Sequence, residues 1–129
     1  YRFKTLNKIT MANFSKNEIF TDKSFIHQYS AIDSIQLANN VNDLLTKDGY
    51  NLIEGQVGNA GYEKGNRTMR LLFGAFVKYN KIQVVAATGE DAVTRLTVDR
   101  KTSGMSGGLI GMSQVKKEME RISIIFSKI

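Results

Sequence analysis

The last fifteen residues of the chain place their apolar side chains along one stripe of a predicted helix. These side chains are Val115, Met119, Ile122, Phe126 and Ile129. They follow one another at intervals of four, three, four and three residues. This spacing is typical of an α-helix with one buried face. Such a helix is held mainly by the packing of that face and not by its intrinsic propensity. The rest of the chain must therefore supply an apolar surface that covers the stripe.

A second amphipathic helix is predicted near residues 30–49. Ser30 is the expected N-cap, since Asp33 follows it three residues later as in a capping box, and Asp48-Gly49 is a typical helix end. The apolar side chains expected on its buried face are Ile35, Ala38, Val41 and Leu45, with Leu37 and Leu44 beside them.

The remaining segments favour strands and turns. The expected elements are a strand at 1–5, a second short strand or irregular segment within 7–25, a strand at 50–58, a turn at 59–66, a strand bent at Gly74 within 67–80, and a hairpin over 81–100. The order is therefore approximately β(β)-α-β-β-β-β-α.

This order predicts a single α+β domain over residues 1–129, in which an antiparallel β-sheet carries both helices on one face. It is similar to the β-α-β4-α arrangement of the TATA-binding-protein-like and helix-grip folds. The similarity is one of topology, and it implies neither site residues nor an activity.

The residue types that the chain lacks argue against several kinds of chemistry. There is no Cys, which rules out disulfides and thiolate chemistry, and His27 is the one histidine. A zinc site needs three or four nitrogen or sulfur ligands. We therefore expect no catalytic residues, no metal and no cofactor, with His27 a surface or packing residue. Two carboxylates that are distant in sequence remain an open alternative for catalysis.

The composition is that of a soluble globular protein, with 42% hydrophobic and 23% charged residues and no apolar run long enough for a transmembrane helix. Frequent Asn, Lys and Ile indicate an AT-rich bacterial genome. The chain begins at Tyr1 within a strand-like alternation, so an upstream signal or anchor is one expectation. A cytoplasmic and an exported location both stay open.

The glycine-rich segment 102–121 matches no nucleotide-binding motif. No Lys follows its glycines as in a P-loop, and no two glycines are spaced as a dinucleotide fingerprint requires. We interpret the segment as the connection into the last helix. The alternative is a weak anion site at the helix start, for which the candidate residues are Ser103, Ser106, Gly107, Gly108 and Ser113.

The whole net charge of +6 comes from residues 63–129, because positive and negative charges balance in residues 1–62. The candidate contacts for nucleic acid or another anion are Lys64, Arg67, Arg70, Lys78 and Lys81. Aromatic side chains lie between them, as in proteins that bind single strands. However, no known nucleic-acid-binding signature is present, and these aromatics belong to an apolar run that is predicted to be core.

Taken together, these features predict a non-catalytic domain that binds a small apolar ligand or a protein partner. A sheet gripped by the long C-terminal helix can enclose a groove for an apolar ligand. The alternative is an electrostatic binder of nucleic acid or another anionic surface, which would use the basic second half of the chain.

Overall fold

The computed structural model describes residues 13–65, 80–101 and 108–129, with side chains from residue 116 onward in the last range. Within these ranges the chain forms six strands and two helices. In chain order they are β1 (Phe14–Phe20), β2 (Ser24–Tyr29), α1 (Ser34–Lys47), β3 (Asn51–Gln56), β4 (Asn59–Lys64), β5 (Asn80–Thr88), β6 (Thr94–Arg100) and α2 (Gly108–Phe126).

The six strands form one antiparallel sheet in the order β1-β2-β6-β5-β4-β3. Helix α1 carries the chain from β2 to β3 at the opposite edge. The next three strands then return step by step until β6 pairs with β2. The predicted α+β class and antiparallel sheet are therefore confirmed.

Both helices cover the same face of the sheet. Strand β2 alternates, with Phe25, His27 and Tyr29 buried and the residues that alternate with them half-buried. The buried core contains side chains from the inward positions of β2, β4, β5 and β6 and from both helices. Its members from the helices are Leu37, Val41, Leu45, Met119, Ile122 and Phe126. One layer of helices on one sheet face therefore encloses the core.

The first helix begins later than the sequence suggests. Its N-cap is Asp33, whose side chain accepts a hydrogen bond of 2.8 Å from the backbone N–H of Gln36. The predicted cap Ser30 is wrong, because Ala31 adopts a left-handed φ of 59° and interrupts any helix there. Ile35 was expected in the core but is 73% exposed, since the buried face is centred on Leu37, Val41 and Leu45.

The predicted turn at 59–66 is wrong, because β4 occupies most of it. The turn falls instead on the two residues between β3 and β4, where Gly58 has a φ of 106°. Ala60 and Tyr62 face the core from β4. Gly61 lies against the side chain of Glu54, where a β-carbon would come within 2.9 Å of Glu54 Cγ. Glycine here allows a close cross-strand contact and does not mark a turn.

The segment 7–25 was expected to hold at most one short strand, but a hairpin of β1 and β2 spans residues 14–29. Two register shifts interrupt β1, between Phe14 and Lys16 and between Asn17 and Ile19. Such bulges break the two-residue period, which is why the pattern was unclear. The strand predicted at 1–5 and most of the one predicted at 67–80 lie outside the described residues.

The last helix buries the side chains that its spacing predicts. Met119, Ile122 and Phe126 are inaccessible to solvent, whereas the side chain of Val115 is outside the described part. Ile129 follows the helix, and its carbonyl accepts hydrogen bonds from the backbone N–H groups of Asn13 and Phe14. The chain end is therefore attached to the start of β1.

We predict that Phe126→Ala lowers the free energy of unfolding by about 3–5 kcal/mol, because it deletes a buried aromatic ring. Ile124→Ala on the same helix is the control. Ile124 is 59% exposed, and its truncation should cost less than about 1 kcal/mol. Urea denaturation of both variants measures the difference, and similar losses would contradict the burial of the stripe.

Candidate functional site

A cleft with a volume of about 550 Å³ lies between the two helices. One wall is the middle of α1, and the other is the end of α2 with the residues that follow it. The start of β1 closes one end. The lining residues are Asn13, Asn40, Asp43, Leu44, Ile125, Lys128 and Ile129.

Main-chain hydrogen bonds fix the wall that faces α1. The N–H groups of Asn13 and Phe14 donate to the carbonyl of Ile129 over 2.9 and 3.1 Å. The side-chain amide of Asn13 donates to the carbonyl of Ser30 over 2.9 Å. The end of α2, the start of β1 and the end of β2 are thereby joined next to the cleft.

The cleft has an apolar interior and a polar rim. Leu44, Ile125 and Ile129 are half-buried and pack against the core, so their outer surfaces remain available to a ligand. Asp43 on α1 and Lys128 beyond α2 are both exposed. A cleft of this composition suits a molecule with an apolar body and one polar or charged group.

His27 lies beneath this wall and is 1% exposed. Its Nδ1 is 3.1 Å from the amide nitrogen of Asn17, and its Nε2 is 3.0 Å from the carbonyl oxygen of Ser123. The rings of Phe14 and Phe25 each lie 4.8 Å from the imidazole, centroid to centroid. Burial lowers the pKa of His27, and hydrogen bonds to the backbone of Ser123 and of Ile26 oppose this only in part.

A second polar cluster surrounds Glu118, which lies five residues before Ser123 on α2. Glu118 is 5% exposed. Tyr50 donates a hydrogen bond of 2.7 Å to Glu118 Oε2, and Asn80 donates one of 3.0 Å to the Tyr50 oxygen. Arg121 donates to both oxygens of Glu118 and to both oxygens of Asp48. Asp48 is the C-cap of α1, so Arg121 connects the two helices.

These contacts shift the pKa values of the acids in the cluster. Burial alone would raise the pKa of Glu118, but hydrogen bonds from Arg121 and Tyr50 outweigh it and leave the pKa lowered. A hydrogen bond from Arg121 likewise lowers the pKa of Asp48. Lys64 adds a contact of 3.4 Å to Asp48. Every charge in the cluster has a partner of opposite sign, as a structural network requires.

We predict that Arg121→Gln lowers the free energy of unfolding by about 2–3 kcal/mol near neutral pH, because it leaves the buried Glu118 with only the more distant Lys64, 4.0 Å away, as its cation. The loss should shrink below about pH 4, since lowered carboxylate pKa values stabilise the fold only while the carboxylates are ionised. The control Arg95→Gln removes a cation that pairs with Glu18 and Asp91 at the surface, and it should cost less than Arg121→Gln. Urea titrations at several pH values test this, and a loss independent of pH would contradict it.

The structure describes two of the five predicted basic contacts, Lys64 and Lys81. Lys64 lies on the helix-covered face and contacts Asp48, whereas Lys81 lies on the opposite face, 3.6 Å from Glu54. These two are therefore not brought together on one surface. Arg67, Arg70 and Lys78 lie outside the described residues, so the five-residue contact remains a prediction.

The glycine-rich segment is described only in part. Helix α2 begins at Gly108, in agreement with a connection that leads into the last helix. Ser103, Ser106 and Gly107 lie outside the described residues, and so does the side chain of Ser113. The weak anion site therefore remains a prediction.

Sequence reasoning missed the cleft and both polar clusters. The cleft combines residues from three distant segments, and no local motif connects them. The spacing of Glu118 and Arg121, three residues apart on a helix, was the one available signal for the ion pair. Its burial depends on Tyr50 and Asp48, which only the fold brings near.

Comparisons with known proteins add no family to this description. No family model matches the chain, and no curated protein matches it. Over the described ranges, no three His, Asp or Glu side chains are grouped as metal ligands. Neither described helix combines the length and apolar character needed to cross a membrane.

Proposed function

We propose that this chain is a non-catalytic binding domain, bacterial by its composition, that holds a small amphipathic molecule between its two helices. The observation that supports this is the 550 Å³ cleft with an apolar interior and charged residues at its rim. Ligand pockets typically have volumes of about 300–1,000 Å³ and a few polar groups that orient the ligand.

The expected ligand has an apolar tail and an anionic head. The tail would replace water over Leu44, Ile125 and Ile129, and each buried methylene group would contribute about 0.8 kcal/mol. Lys128 at the rim would attract the head. The overall charge of +6 also favours an anion over a cation of the same length.

We predict that octanesulfonate stabilises the protein more than octylammonium does, because the two share an apolar tail and differ in the sign of the head. A ligand present at a hundred times its dissociation constant stabilises the fold by about 2.7 kcal/mol, which is several degrees in melting temperature. Thermal melts measure the effect. Two-dimensional NMR spectra should place the perturbed amides around Leu44, Ile125 and Lys128.

Neighbouring asparagines on α1 provide a matched pair of variants. Asn40 lines the cleft, whereas Asn39 is exposed and does not line it. One residue on a helix corresponds to a rotation of about 100°. Asn40→Trp should fill the cleft and abolish octanesulfonate binding, and Asn39→Trp should leave it intact. Binding that survives Asn40→Trp would rule out the cleft as the site.

The electrostatic alternative is supported by the placement of basic residues at one end of the sheet. The N–H of Arg100 donates to the carbonyl of Lys23, and the N–H of Lys101 donates to the carbonyl of Lys81, each over 2.7 Å. The main chains of four basic residues from the ends of three strands therefore meet here, and the side chain of one of them, Lys81, also lies 3.6 Å from Glu54. Asp99 precedes two of them in sequence and reduces the local excess of charge.

Retention on heparin tests this alternative. If the basic end binds polyanions, elution should require more than physiological salt, and the triple variant Lys23→Gln, Arg100→Gln, Lys101→Gln should elute earlier. Each phosphate contact that is lost should reduce the slope of log affinity against log salt by about one for duplex DNA. Elution of the wild type at about 0.15 M salt would contradict electrostatic binding.

A further inference from the structure

His27 connects three elements at the end of the molecule that carries the cleft. It belongs to β2, its Nδ1 meets Asn17 of β1, and its Nε2 meets Ser123 of α2. Ser123 lies two residues before Ile125, which lines the cleft. Phe14, whose ring packs on the imidazole, is also bonded through its N–H to Ile129. The imidazole therefore lies next to the wall of the cleft, so a movement of the ring would displace residues beside that wall.

The hydrogen bonds around the ring favour one neutral tautomer. The amide nitrogen of Asn17 lies 2.9 Å from the carbonyl of Ile19 and 3.2 Å from that of Ile26, and both carbonyls can only accept. The nitrogen of Asn17 therefore points this way, and its two hydrogens are shared among these two carbonyls and Nδ1 of His27. It follows that Nδ1 is the unprotonated acceptor. Nε2 carries the hydrogen and donates to the carbonyl of Ser123.

A proton added to Nδ1 would face an amide N–H. Turning the Asn17 amide over would relieve this contact, but it would break the two bonds to Ile19 and Ile26 and direct the amide oxygen at their carbonyls. None of the described side chains that face the ring carries a charge to balance an imidazolium. They are Phe14, Asn17, Phe25, Tyr29, Leu96 and Ser123.

The charged residues of β1 cannot act as counter-ions to a protonated His27, because they lie on the other side of the sheet. Glu18 is bonded there to Arg95 and Gln28, and Lys16 pairs with Gln28 in register. The hydroxyl of Tyr29 is the other titratable group near the ring. It donates to the carbonyl of Phe126, and burial raises its pKa. A protonated His27 would therefore be a buried charge without a counter-ion.

We propose that His27 is an acid-sensitive latch: in its neutral form it holds β1 against the end of α2, and its protonation releases these two elements and opens the cleft wall. The release of β1 follows from the loss of the bond between Asn17 and Nδ1, since a protonated His27 still donates from Nε2 to the Ser123 carbonyl. The effect on ligand affinity rests on the proposed function of the cleft.

The sign of the pH dependence follows from the lowered pKa of His27. A histidine that is held neutral stabilises the folded state fully above its ordinary pKa of about 6.5. This stabilisation is lost as the pH falls from that value towards the pKa in the folded state. The latch is therefore closed at neutral pH and opens as the pH falls below about 6.5 towards the folded-state pKa of His27.

The experiment is an NMR titration of the intact protein from about pH 7.5 to pH 4.5, in which the single histidine gives one unambiguous imidazole signal. We expect the Nε2–H tautomer at neutral pH and a midpoint below about 6.5. Hydrogen exchange of the Asn13 and Phe14 amides, corrected for its intrinsic pH dependence, should accelerate by up to about tenfold per pH unit. The amides of β4 and β5 should respond less.

Two variants separate the latch from ordinary acid sensitivity. His27→Gln cannot titrate, so the acceleration at Asn13 and Phe14 should disappear. Asn17→Ala removes the N–H that opposes protonation, so the His27 midpoint should rise towards about 6.5. Asn39→Ala, an exposed asparagine away from the ring, should leave the midpoint unchanged. If His27→Gln does not fold, the wild-type and Asn17→Ala titrations still decide the question.

The latch would be overturned by a midpoint at or above about 6.5, by an Nδ1–H tautomer, or by equal acceleration in β4 and β5, which would indicate global unfolding. Octanesulfonate, charged throughout this range, reports on the cleft. Its affinity should fall in acid for the wild type but not for His27→Gln. If octanesulfonate fails to bind at any pH while the Asn13 and Phe14 amides respond, the latch stands and the proposed ligand function is wrong.

Discussion

The pairing of β2 with β6 is the contact on which the rest of the structure depends. It is an uninterrupted antiparallel register from Ser24–Asp99 to Tyr29–Thr94. It joins the first hairpin to four strands that follow much later in the chain. Without it, β1 and β2 would form an isolated hairpin, which is marginally stable in water. The register also sets which residues of β2 face the helices. A shift by one position would turn Phe25, His27 and Tyr29 to the face of the sheet that the helices do not cover.

The burial of those three side chains determines how α2 is held. Phe25 packs on Phe126, and Tyr29 donates a hydrogen bond to the Phe126 carbonyl. His27 adds its bond to Ser123. Polar groups under a helix are costly unless each finds a partner. Among the described residues, every buried side-chain nitrogen and oxygen has one. Helix α2 is therefore positioned by specific hydrogen bonds as well as by its apolar stripe.

The two polar clusters under α2 respond to acid in different pH ranges. Near the end of the helix, His27 is stable only while neutral, so it loses its contribution below about pH 6.5. Under the preceding turns of the helix, Glu118 and Asp48 stabilise the fold while they are ionised. They lose this stabilising contribution only in stronger acid. The cleft lies beside the first cluster. A change in mild acid would therefore begin at the cleft while Arg121 still connects the two helices.

The sequence by itself determined the α+β class of the fold and the buried stripe of α2. Local periodicity carries this information, since Met119, Ile122 and Phe126 can share a face only on a helix. The structure alone decided that Asp33 caps α1, that Gly61 belongs to a strand and that His27 is buried. It also brought together the cleft and the Arg121 cluster. The physical reason is that these features depend on strand register and on contacts between distant segments, which a local pattern of side chains does not encode.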